Sequence, residues 1–244
     1  MITVSIVSHK QFHQVLNCIQ SFERHSKSKF FYIITINISE VFSENNLRKI
    51  TKNYKIIINE KPLGFGANHN NASKGVVSGT FIVCNPDIDI VHFDIEKFES
   101  YESENQFLAP QVQIRRNDNS YYDFRDFPSF LNIFNRQFRK LILRTKNNQK
   151  ETNSLKYSWF PGYFMVFDIK IFKSIGGFDS SFFMYCEDVD LCLRLKKQKQ
   201  KINLSNNIVV NHIGQFSSNK RPKYFILHIM SLLKLNFKMY KGYY

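Results

Sequence analysis

The chain has 244 residues, 43% hydrophobic and 16% aromatic, which supplies the apolar surface for one well-buried α/β domain and excludes a disordered chain. Its 34 Lys and Arg against 20 Asp and Glu leave a net charge of +14, which attracts phosphates in nucleic acid, anionic lipid or a diphosphate substrate. No paired CxxC finger or RNP-type aromatic signature accompanies that charge, so no nucleic-acid partner is expected.

Short β-branched runs alternate with segments of helical period. Ile2–Ser8, 31–38, 55–58 and 80–84 read as strands, and 12–22, 47–52 and 67–77 as helices. This rhythm predicts an α/β fold with a Rossmann-like, mostly parallel central sheet flanked by helices. Ligands on such sheets collect beyond the carboxyl ends of strands. That rule singles out Ser8, His9 and Lys10 after the first strand, and Asn85, Pro86 and Asp87 after the run ending at Cys84.

The middle, 101–156, is less regular. It holds Tyr121-Tyr122-Asp123-Phe124-Arg125 and then a basic, apolar segment at 130–146. Regular structure is expected again at 159–168, in a helix near 189–197 and in a strand at 201–210. From Pro222 onward, Lys223, Ser231, Lys234, Lys238 and Lys241 fall near one helical face, opposite a broadly apolar one. Such an amphipathic helix either lies in a bilayer interface or packs its apolar face on the domain.

The four cysteines, Cys18, Cys84, Cys186 and Cys192, sit in apolar runs without metal-type spacing, as expected of buried thiols in a reducing compartment. The beginning of the sequence does not read as a signal peptide, and no run reaches the roughly eighteen apolar residues of a membrane span. The expectation is a cytoplasmic protein that meets a membrane from the side.

Three features could carry chemistry. Asp87, just past a buried strand, is placed as a hard-oxygen ligand for Mg²⁺ or Mn²⁺, although Asn-Pro-Asp is also good turn chemistry. Glu187, Asp188 and Asp190 open a helix after a row of aromatics; capping and an i,i+4 pair with Arg194 explain one or two of these acids. His212 follows a strand-like run and is either structural or a metal ligand.

In combination these residues resemble a family 2 glycosyltransferase from the first strand to about Ser218. The pieces are Val4-Ser5-Ile6-Val7-Ser8-His9, Pro62-Leu63-Gly64-Phe65-Gly66-Ala67-Asn68-His69-Asn70, Asn85-Pro86-Asp87, Gly176-Gly177-Phe178-Asp179 and Phe183-Met184-Tyr185-Cys186-Glu187-Asp188-Val189-Asp190-Leu191. Within the family they look most like rhamnosyltransferases of O-antigen and related polysaccharide assembly. The resemblance implies a GT-A fold with a catalytic domain at 1–218, its donor half at about 1–100 and acceptor half at about 101–218, followed by a basic amphipathic tail at 219–244. It also implies inversion at the anomeric carbon and a divalent cation, Mn²⁺ or Mg²⁺.

The same resemblance assigns roles. Asp87 and His212 would hold the metal, Asp188 would be the catalytic base and Glu187 would support it. Ser8, His9, Asn37, Gly64, Phe65, Gly66, Asn68, Asn85 and Asp87 would line the donor site. Asn85 stands where the family's metal motif begins with an acid, and Asn37 and Ser39 stand near the position of a nucleotide-binding aspartate. A share of Asp89 or Asp190 in the site is left open. The implied substrates are a nucleotide-sugar donor, dTDP-rhamnose first and a UDP-hexose or UDP-N-acetylhexosamine second, and a polyprenyl-diphosphate-linked glycan acceptor. Such an enzyme would work as a peripheral protein at the cytoplasmic face of the inner membrane. A catalytically silent nucleotide-sugar-binding scaffold is the competing reading.

Overall fold

The computed structural model describes residues 1–27, 29–101, 107–113, 120–121, 123, 125–127, 158–200, 202–212 and 222–244; the basic segment 130–146 lies outside them. Strand β1 (Ile2–Ser8) is buried on both faces. Ile2, Val4 and Ile6 share one core with Val15, Ile19 and Phe22 of helix α1 (Phe12–His25), whose apolar residues recur at helical spacing. On the opposite face Ser5 Oγ lies 2.8 Å from Nδ1 of buried His69.

Strands β2 (Phe30–Ile36) and β3 (Tyr54–Ile58) add in parallel on one side of β1, and β4 (Thr80–Cys84) on the other. Helix α2 (Glu44–Ile50) enters through Ser43, whose Oγ accepts the Asn46 N–H at 3.3 Å. Helix α3 (Phe65–Ser73) lies against the other face of the sheet. The chain continues through β5 (Ile88–Phe93), α4 (Ile95–Tyr101), β6 (Phe107–Gln113) and β7 (Ser120–Tyr121). A two-stranded pair, β8 (Arg125–Asp126) with β9 (Ser158–Trp159), precedes β10 (Phe164–Asp168) and α5 (Ile169–Ser174). Last come α6 (Glu187–Lys197), β11 (Ile202–His212) and α7 (Pro222–Tyr240).

The main sheet runs β3-β2-β1-β4-β10-β6-β11-β5, with β7 on β6. Strands β1 to β4, β6 and β11 point the same way, while β10 and β5 run against their neighbours. The parallel set therefore ends at one edge, as expected of a mostly parallel sheet, and that edge gathers Ser8, Asn37, Asn85 and His212. The last strand extends past 210 to His212 because it pairs with β5 as far as Ile88. Helix α6 starts at Glu187, ahead of the apolar periodicity, because its first turn is filled by carboxylates that its unpaired N–H groups favour.

Helix α7 docks in an orientation its sequence pattern did not suggest. Leu235 is fully buried, Ser231 Oγ donates to Met184 O at 2.7 Å, and Lys234 Nζ donates to Ser181 O at 2.8 Å. Lys238 Nζ reaches Asp179 at 2.9 Å and also Asp190, which has no exposed surface. The lysines at 234 and 238 thus serve the docking, and a broad apolar face points outward. The physical reason is the charge of Asp190, which is buried and needs cations. The four cysteines are buried free thiols, as expected.

Candidate active site

The candidate metal corner is made by strand register. Asp87 stands in the turn from β4 to β5, and the antiparallel pairing of β11 with β5 sets His212 opposite Ile88. His212 Nε2 therefore comes to 3.3 Å from Asp87 Oδ2. The ring of Tyr163 stacks on the imidazole with centroids 4.2 Å apart, and its carbonyl accepts the Asn85 N–H at 2.8 Å. The Tyr163 hydroxyl donates to Asp123 Oδ2 at 2.9 Å, and Asp123 pairs with Arg125 at 3.3 Å. Asp89 is engaged elsewhere, 2.7 Å from Arg24. Among the described residues no group of three or more His, Cys, Asp and Glu forms a closed cage. A carboxylate oxygen and an imidazole nitrogen 3.3 Å apart are donors of the kind that would hold a divalent cation, and two protein ligands would leave the rest of its set to other oxygens.

Asp188 is held by backbone. Its Oδ2 accepts the Gly162 N–H at 3.0 Å and its Oδ1 the Val189 N–H at 2.9 Å. Gly162 adjoins Tyr163, so one dipeptide steadies both the Asp188 carboxylate and the His212 ring. Burial raises the pKa of Asp188, opposed by those N–H groups and by the positive charge of Arg125. Glu187 is buried too, and its Oε2 accepts no hydrogen bond among the described residues. Burial, then the charges of Asp188 and Asp190, lift its pKa well above the ordinary value. Burial and the neighbouring charges thus press Glu187 towards its neutral form, whereas the N–H donors on both Asp188 oxygens favour the charged form of Asp188. Tyr185 and Cys186, both left-handed at φ 71° and 64°, turn the chain abruptly into α6. Asp190 faces away from this pair, bound to Arg194 at 2.8 Å and to Lys238 and the Tyr244 hydroxyl.

The candidate donor loop, 59–68, is built by neutral amides. Asn37 Nδ2 donates to Leu63 O at 3.0 Å while its Oδ1 accepts the Leu63 N–H at 2.9 Å. Asn59 bridges Asn37 and Asn68 at 2.9 and 2.7 Å, and Asn68 Nδ2 donates to Gly64 O at 3.0 Å. Asn37 and Asn68 therefore shape the loop with their side chains. His9 sits beside Asn37 at 3.3 Å, its pKa lowered mainly by burial. Ser8 Oγ accepts the Gln11 N–H at 3.2 Å, at the entry to α1. Gly64 and Gly66 answer to close approach: a Cβ on Gly64 would lie 2.6 Å from Phe183 O, and one on Gly66 would lie 2.4 Å from the Phe178 Cβ. Phe65 N–H donates to that same Phe183 carbonyl at 2.9 Å, which ties the donor loop to the segment entering α6. A separate groove of about 670 Å³, lined by Lys10, Phe12, His13, Ser39, Glu40 and Phe42 among others, opens beside the β1 loop and includes neither Asp87 nor Asp188.

Gly162 and Tyr163 carry no motif that marks them in the sequence, because their role comes from β10 being inserted antiparallel between β4 and β6. Asp123 and Arg125 lie in the aromatic, charge-mixed stretch that the sequence did mark, and only the fold brings that stretch against Tyr163.

A mostly parallel sheet of this order flanked by helices is the GT-A fold. Solved structures agree. GalNAc-T7, crystallised with UDP, GalNAc and Mn²⁺, superposes with a TM-score of 0.64 at 13% identity, over 87% of this chain and 43% of that one. Residues 1–349 of TarS from S. aureus, in complex with UDP-GlcNAc, superpose with a TM-score of 0.61 at 13% identity, over 93% and 64%. In sequence, the chain is 34% identical over 143 residues to the rhamnosyltransferase WbbL of Escherichia coli K12, a match that spans 54% of each protein. No protein-family model matches the sequence. The resemblance to family 2 glycosyltransferases carried by the motifs is thus supported both by a curated relative and by the fold.

Proposed function

We propose that the chain is an inverting, divalent-cation-dependent glycosyltransferase that moves rhamnose from dTDP-rhamnose onto a polyprenyl-diphosphate-linked glycan of a surface polysaccharide. It would act as a peripheral protein at the cytoplasmic face of the inner membrane. The observation that carries the reading is the Gly162–Tyr163 dipeptide, which holds Asp188 by its N–H and backs His212 by its ring, so that the proposed base and the proposed metal pair lie against one dipeptide. The likeness to WbbL supports rhamnose, and the nucleotide and Mn²⁺ complexes of the structural neighbours support a nucleotide-sugar donor and a cation.

In this reading Asp87 and His212 would hold the cation, which would offset the charge on the departing diphosphate. The donor loop with Gly64, Phe65 and Gly66 lets the backbone approach the donor. Asp188 takes the proton of the acceptor hydroxyl as its oxygen attacks the anomeric carbon from the face opposite the leaving group. The sugar–phosphate bond breaks and the nucleoside diphosphate leaves with the electron pair. Glu187, protonated, supports the turn without competing for that proton.

The test is a calorimetric titration with dTDP-rhamnose, UDP-glucose, UDP-galactose and UDP-N-acetylglucosamine, each with Mn²⁺ and with EDTA. Binding of dTDP-rhamnose that requires Mn²⁺ and is weakened by Asp87→Ala is the expected result. Binding of a UDP-sugar alone would replace the donor, and binding of none would favour a silent scaffold.

A further inference from the structure

Six large apolar side chains of α7 (Phe225, Ile226, Met230, Leu233, Phe237 and Tyr240) are between 50% and 81% exposed. On a helix these positions fall on one side, opposite the buried Leu235, and form a stripe about 22 Å long. A contiguous apolar stripe of this size is unusual on a surface meant only for water. The docking fixes it there: rolling α7 to bury the stripe would withdraw Lys238 from Asp179 and Asp190 and leave the Asp190 carboxylate in the core short of a cation.

We propose that this stripe lies in an anionic lipid surface, with α7 in the plane of the interface. The charge selects the occupant. A chain of net charge +14 repels a second copy of itself and is drawn to anionic headgroups. Exposed Lys241 stands with its ammonium 5.7 Å from the Phe237 ring centroid, at the border of the stripe, where its stem can lie among apolar groups and its charge at the headgroups. Exposed Tyr240 and Tyr243 add rings suited to headgroup depth. No described helix is long and apolar enough to cross a membrane, so α7 lies along the surface. Ser231 and Lys234 bind the 181–184 segment that leads into Glu187 and Asp188, which holds the base helix close to that surface. The use of this geometry to meet a lipid-linked acceptor rests on the function proposed above; lipid binding itself does not.

Co-sedimentation with vesicles of phosphatidylethanolamine and phosphatidylglycerol, compared with phosphatidylcholine alone, tests it on the full chain. The wild type should bind the anionic vesicles, less so in high salt. The combined variant Met230→Gln, Leu233→Gln, Phe237→Gln should bind at least about tenfold more weakly, with nucleotide-sugar affinity in the calorimetric assay unchanged. Phe237→Trp, which keeps the stripe apolar, should show indole emission that shifts to the blue on anionic vesicles and is quenched by brominated acyl chains. Wild-type protein that ignores the vesicles, a combined variant that binds as the wild type does, or an indole that stays in water would overturn the proposal. A wild-type dimer dissolved by the combined variant, without vesicle binding, would assign the stripe to a second copy instead. Loss of donor binding with vesicle binding intact would indict the enzymatic reading and leave this one standing.

Discussion

The two sides of the candidate site, the proposed donor loop and the helix that carries the proposed base, are held by different forces. On the donor side Asn37, Asn59, Asn68 and Asn70 fix the loop and α3 with neutral amide hydrogen bonds, Asn70 accepting the Phe178 N–H at 2.9 Å and donating to Phe178 O at 2.7 Å. On the base side Asp179, Asp190, Arg194 and Lys238 fix α6 with charge. Neutral amides shape a loop without adding charge to it, whereas the ionic corner responds to loss of any charged partner. Stability and catalysis should therefore fail differently on the two sides.

The largest effect belongs to Asp188. Asp188→Asn keeps the Gly162 contact in reach but removes the base, and turnover should fall by about a thousandfold while donor affinity stays within twofold or so; surviving turnover would remove Asp188 from that role. Next is Lys238→Met, which leaves Asp190 with Arg194 and Tyr244 alone. About 2–3 kcal/mol of stability should disappear in urea melts. A loss under 0.5 kcal/mol or so would mean that the corner is not held by charge. Asn37→Ala removes the partner of the Leu63 N–H, while the Leu63 carbonyl keeps Asn68 Nδ2 at 3.2 Å, and should cost about 1 kcal/mol, with donor affinity reduced and the change the same across neutral pH.

A smaller effect concerns Asp179, whose pKa is lowered to about 2, burial opposing but Lys238 and Ser181 prevailing. A depressed folded pKa stabilises above the ordinary aspartate value and is lost as pH falls toward 2. Acid unfolding of the wild type should therefore be steeper than that of Asp179→Asn between about pH 4 and pH 2; parallel curves would contradict the pairing.

The same contrast explains what the sequence made legible. Strands β1 to β4 and helices α1 to α3 follow from local pattern, since Ile2, Val4 and Ile6 alternate and Val15, Ile19 and Phe22 repeat at helical spacing. Asp87 and His212 were recognisable as strand-end residues, and their pairing needed only the β11–β5 register. The ionic corner was not legible in this way. Asp190 with Arg194 reads as an ordinary surface i,i+4 pair, and nothing in 187–197 announces that Lys238 and Tyr244 come from 48 and 54 residues away to complete it. For the same reason the lysine face of α7 read as solvent- or lipid-facing, when Lys234 and Lys238 are its anchors. Gly162 and Tyr163 escaped because their role depends on an antiparallel strand inserted among parallel ones.

The division of labour within the acid pair is the claim most open to direct test, through the pH dependence of turnover for the wild type beside Glu187→Gln. A protonated Glu187 is mimicked by glutamine, so neutral-pH turnover should stay within about threefold. Removing the neighbouring acid, whose charge raises the pKa of Asp188 when it ionises, should leave the acid limb of the profile where it is or move it to lower pH. Turnover abolished in Glu187→Gln, or an acid limb moved to higher pH, would place the base on Glu187 and contradict the account.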